Sequence, residues 1–238
     1  MKTVWASFGQ FARAIWQDAM LAVCLFAPIL MAVLFRYGVP ALETVLCGAL
    51  GTPQVLAPYY GLLDLLVSMM TPLMLCFAGV MVVFEELDDG AAKYLMVTPL
   101  GKAGYLFSRL GVLTALSVVY GTALVALFRL SELPLGLAAL SAVCNALVSL
   151  SVAMLVVGFA KNKVECMALT KLSGFFMLGY FAAYLLDRPA SYLSGWLPSY
   201  WLGLMALDRN ALWAIPATFT ACGWITLLYR RFARRVFS

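Results

Sequence analysis

The chain alternates long apolar stretches with short polar ones. Six stretches stand out, at 19–35, 65–84, 110–128, 135–160, 166–186 and 211–229. Crossing about 30 Å of hydrocarbon takes about 20 mainly apolar residues, and each stretch is of that order. Lipid offers no partner to backbone amides and carbonyls, so each stretch is predicted as a helix. The period-two alternation of a membrane barrel is missing. The expected fold is therefore all-α, a polytopic membrane protein forming a single transmembrane domain over residues 1–238 with six spans. Pro28, Pro72 and Pro216 lie inside stretches and predict kinks, while Lys171 interrupts the fifth near its start.

The connecting pieces carry patterns of their own. In 1–18, Val4, Trp5, Phe8, Phe11, Ala12, Ile15 and Trp16 recur at helical spacing, opposite Ser7, Gln10, Arg13 and Gln17. That predicts an amphipathic helix lying in the membrane interface. The loop 85–109 begins with Glu85, Glu86, Asp88 and Asp89 and continues through the good helix formers Ala91, Ala92, Lys93, Tyr94, Leu95 and Met96. Acidic groups favour a helix N-terminus, and Thr98-Pro99 would end the segment. A short helix parallel to the membrane is expected there. The piece 187–210 holds Pro189, Trp196, Pro198, Tyr200 and Trp201. It is too aromatic for a free polar loop and too broken to cross twice, so short re-entrant helices at interface depth are expected.

Composition sharpens this picture. The chain is 64% apolar and 11% charged, against about 25% charged in soluble domains, which excludes an ordinary soluble fold. The net charge of +5 does not point to nucleic acid, because the basic residues sit in short clusters between spans. With the N-terminus in the cytoplasm, twelve lysines and arginines face inside and four, Arg36, Arg129, Arg188 and Arg209, face out. That split predicts a plasma-membrane protein with both termini cytoplasmic. Six cysteines without a CxxC pair, and no histidine, argue against a disulfide framework, a zinc site or a metal centre. The acidic cluster lacks the ligand spacing of a calcium loop. No cleavable signal peptide is evident. No nucleophile–base pair or aspartate dyad is placed for catalysis, so no catalytic residue is expected.

Taken together, the order of these features resembles the permease subunits of ABC type-2 exporters. The resemblance rests on Glu85 through Tyr94, Thr98-Pro99, Tyr105 through Arg109, Ala160 through Glu165 with Lys171, and Leu197 through Trp201. It implies that 85–109 contains a cytoplasmic coupling helix between spans two and three, with re-entrant helices before span six. It further implies an ATP-driven exporter of drug-like, peptide or lipid substrates. The chain has no GxxxxGK[ST] loop, so ATP and Mg would be bound by a separate ABC ATPase subunit, in two copies. The permease would pair with a second copy or a paralogue. Glu85, Glu86, Asp88, Lys93 and Tyr94 would contact the ATPase. Asp64 and Asn145, polar residues within or beside spans, are candidates for the substrate path, although Asn145 equally suits a helix–helix hydrogen bond. The residues alone leave open a membrane immunity protein that sequesters a toxin, or a secondary transporter.

Overall fold

A computed structural model describes Gly9, Arg13, 18–97 and 101–237, the side chains of Met20, Lys93, Ala103 and Phe237 excepted. The expected interfacial helix and Thr98-Pro99 thus fall outside the described residues, apart from Gly9, Arg13 and Asp18. Among the described residues there is no strand, and six helical segments are long and apolar enough to cross a membrane.

The first such segment, Leu21–Leu50, is 30 residues long. It joins α1 (Ala19–Val33) to α2 (Val39–Leu50) through a π turn over Leu34–Gly38. At 1.5 Å per residue it extends roughly 45 Å, well beyond the apolar run that ends at Phe35. The helix continues through the π turn, and Pro40 lies in the first turn of α2 just after it. The second segment centres on α3 (Tyr60–Asp88). After the short helices α4 (Ala91–Val97) and α5 (Gly101–Leu106), a π turn at Phe107–Gly111 leads into α6 (Val112–Phe128). Next come α7 (Leu135–Phe159), then α8 (Lys163–Lys171) joined by a 3-10 stretch to α9 (Leu178–Leu185). Residues 187–210 form α10 (Arg188–Ser191) and α11 (Pro198–Leu207), and α12 (Ala214–Phe237) is last.

The span built on α3 is the hub. Its apolar window is 78% buried inside the chain, whereas that of the first span is 17% buried. α3 packs on α6 and α7, and α7 packs on α12. Small residues permit the close approaches, as membrane helices require. A Cβ on Gly179 would lie 2.3 Å from Ser199 Oγ and 2.5 Å from the Tyr200 amide, so α9 and α11 touch backbone to backbone. Leu30, Leu34, Val119, Leu127 and Phe219 point outward from the bundle, the arrangement expected of a chain whose solvent is lipid.

Candidate functional site

The acidic loop lies at one end of the bundle. α3 runs through Glu85, Glu86 and Asp88 before Asp89 closes it, and Gly90, at φ 72°, reverses the chain into α4. Only glycine enters that left-handed region without strain. The carboxylates of this turn differ in their surroundings. Asp88 and Asp89 are exposed, and Tyr94 is 76% exposed on α4. Lys93 lies on the same helix, its side chain outside the described residues.

Glu86 turns inward. Arg109 donates from Nη2 to Glu86 Oε1 at 2.5 Å and from Nε to both carboxylate oxygens at 3.0 Å. Tyr105 donates its hydroxyl to Glu86 Oε2 at 2.9 Å. Tyr105 and Arg109 are both fully buried, and the guanidinium stands 5.6 Å from the Tyr105 ring centre. A forked guanidinium–carboxylate pair fixes both distance and angle, so the end of span two is pinned to the start of span three. Glu85 instead pairs with Lys163, at the start of α8. Asn162 caps that helix by accepting from the Glu165 amide at 2.8 Å, and Glu165 accepts from the Lys161 amide at 2.6 Å. The Lys161 carbonyl accepts from Arg235 Nη2 at 2.8 Å. A chain of polar contacts therefore links the acidic loop to spans three, five and six.

The remaining sequence candidates sit elsewhere. Asp64, at the opposite end of α3, is 4% exposed. It accepts from the amides of Leu130 and Ser131 at 2.8 Å each and from Ser131 Oγ at 2.5 Å. It thereby caps the turn that follows span three. Asn145 lies fully buried in mid-bundle, donating to Ser68 Oγ at 3.1 Å and accepting from the Tyr180 hydroxyl at 2.6 Å. It ties spans two, four and five together. Neither lines the apolar cavity of about 430 Å³ that opens between spans one, two and five. Cys24, Met70, Met74, Phe77, Met167 and Lys171 are among its walls.

Sequence reasoning did not assign roles to Tyr105, Arg109, Lys163 or the cavity residues of span five. One signal was available: Tyr105 and Arg109 are four residues apart and share a helix face.

No curated protein and no solved structure matches the chain significantly. A family model described as fluoroquinolones export permease protein Rv2686c-like matches residues 11–230, which takes in the first five spans and most of the sixth. The chain belongs to this Rv2686c-like family of export permeases, an ABC type-2 permease family.

Proposed function

We propose that the chain is the membrane-spanning subunit of an ATP-driven exporter and that its acidic loop docks on a separate ATPase. Two permease chains and two ATPases would make the working pump, with ATP and Mg held by the ATPases. The acidic-loop end faces the cytoplasm in this reading, as do both termini. The observation that carries it is the division of labour within one short loop. Asp88 and Tyr94 are exposed and available to a partner. Glu85 and Glu86, one turn away, are engaged with Lys163 and Arg109 of other spans. Of the five expected contact residues, Asp88 and Tyr94 take the outward role, with Lys93 next to Tyr94 on α4. Glu85 and Glu86 pass the motion inward. A force on the loop thus reaches three other spans through polar contacts, and nucleotide state biases the bundle only through unequal affinity for its two arrangements.

The family's name points to fluoroquinolone-like drugs. The methionine-rich cavity suits largely apolar molecules of varied shape, because unbranched thioether side chains adapt to them. Substrate would pass along this cavity, with Asp64 and Asn145 holding the surrounding helices.

Co-purification tests the docking. The wild-type chain should retain a partner ABC ATPase co-expressed with it and stimulate its hydrolysis. Asp88→Lys with Tyr94→Ala should lose the ATPase while remaining inserted and monodisperse. Full retention and full stimulation in that double variant would remove the docking role.

A further inference from the structure

Two arginines at the other end of the bundle form a site that the export reading leaves unused. Arg36 lies in the π turn between α1 and α2, and Arg129 directly follows α6. Arg36 Nη1 donates to the Arg129 carbonyl at 2.8 Å, and Arg129 Nη1 donates to the Leu133 carbonyl at 3.0 Å. Neither guanidinium makes an ion pair among the described residues. A guanidinium has five N–H donors, so most donors of both remain for another acceptor. The two side chains line one pocket of about 310 Å³. Glu132 also lines it but pairs with Arg209 at 3.7 Å, and Asp64 behind the turn gives its oxygens to Leu130 and Ser131. The pocket wall thus carries two positive charges against the one negative charge of Glu132, with the buried charge of Asp64 acting on Arg129 from behind the turn.

Position supplies the second part of the argument. The apolar run 19–35 spans roughly 25 Å at 1.5 Å per residue, which brings Arg36 to the edge of the hydrocarbon. Arg129 caps the end of the adjacent span at the same level, as their shared contact requires. Tyr37, 69% exposed, is suited to interface depth. The remaining wall includes Ala126 and Leu127, and Leu127 is 73% exposed towards the lipid flank. The pocket is cationic on one side and open to acyl chains on the other. Guanidinium groups match phosphate oxygens with paired hydrogen bonds, and lipid head groups present phosphates at this depth.

We infer that Arg36 and Arg129 together bind the phosphate of an anionic phospholipid, which seats spans one and three against each other. Among the described residues, another polar link between the two spans lies deeper in the bundle, where Tyr120 donates to the Leu25 carbonyl at 2.7 Å. A bridging phosphate also relieves the repulsion between two neighbouring cations.

The test uses the full chain reconstituted in vesicles of equal parts phosphatidylglycerol and phosphatidylcholine. After extraction in a neutral detergent, bound phospholipid is counted by native mass spectrometry. Wild type should retain phosphatidylglycerol in preference. Arg36→Gln and Arg129→Gln should each lower that retention about fivefold, the scale of one basic residue at an anionic surface. Arg36→Lys should keep most of it. Glu132→Gln changes a side chain that is 92% exposed, so its folding is not at risk, and it should raise retention. Equal retention by wild type, Arg36→Gln and Glu132→Gln overturns the inference. Complete displacement of phosphatidylglycerol by inorganic phosphate at equal concentration would assign the pocket to a free anion and overturn the lipid reading.

Discussion

Arg109 forks onto both carboxylate oxygens of Glu86 across 23 residues of sequence, and it is among the largest fully buried side chains of the described residues. Removing one member of such a pair leaves a charge stranded in a poorly solvated place, at roughly 3–5 kcal/mol. Arg109→Ala should therefore lower the thermal unfolding midpoint in detergent substantially. Replacing both partners together, Glu86→Gln with Arg109→Met, should recover most of that loss, because no uncompensated charge remains. A double variant as unstable as Arg109→Ala would show that packing, not pairing, makes Arg109 matter.

The Glu85–Lys163 pair should behave differently. Its side chains are 44% and 37% exposed, and exposed pairs contribute about 0–1 kcal/mol. Glu85→Gln is expected to leave the unfolding midpoint almost unchanged. On the coupling role proposed above, it should still reduce drug-stimulated ATPase activity of the assembled pump. Unaltered coupling in a stable Glu85→Gln chain would confine the inward transmission to Glu86.

Asn145 offers a test in mid-bundle. Asn145→Ala removes the acceptor of the fully buried Tyr180 hydroxyl and the donor to Ser68. Polar links between membrane helices contribute about 0.6 to 2 kcal/mol, so a modest fall in stability is expected. Asn145→Ala with Tyr180→Phe should lose little more than Asn145→Ala alone. Additive losses would mean that the two side chains act independently.

The α9–α11 contact predicts a steric effect. Gly179→Ala would press a methyl group into the Tyr200 amide and Ser199, and overpacking of this kind typically costs about 1–3 kcal/mol. Gly136→Ala, where an added Cβ meets nothing within 4 Å, is the control and should cost nothing, with a gain of up to about 1 kcal/mol from the better helix former. Both are read from the unfolding midpoint in detergent.

How much was legible beforehand follows from which interactions are local. Six apolar runs were visible because hydrocarbon thickness sets a length that one-dimensional hydropathy can measure. The acidic turn was visible because Glu85 through Gly90 contrasts sharply with the apolar residues before it. What it holds was not. Glu86 could equally have faced a partner, and only the packing of α3 against the chain around Arg109 turns it inward. Asp64 looked like a candidate for a route through the membrane because a carboxylate near a span stands out. Its partners are main-chain amides of Leu130 and Ser131, which carry no signature in the sequence. The first helix ran on past Phe35 because Arg36 and Tyr37 break hydropathy without breaking the helix. The π turn accommodates them, and periodicity alone does not show such a turn.

The capping by Asp64 sets an unequal tolerance on the two sides of one contact. A carboxylate that reads N–H groups is indifferent to which side chain position 130 carries, so long as the residue is not proline. Position 64 has no such freedom, since asparagine would offer one acceptor oxygen for two amides. A survey of random replacements should therefore find position 130 permissive and position 64 strict, although the two residues touch.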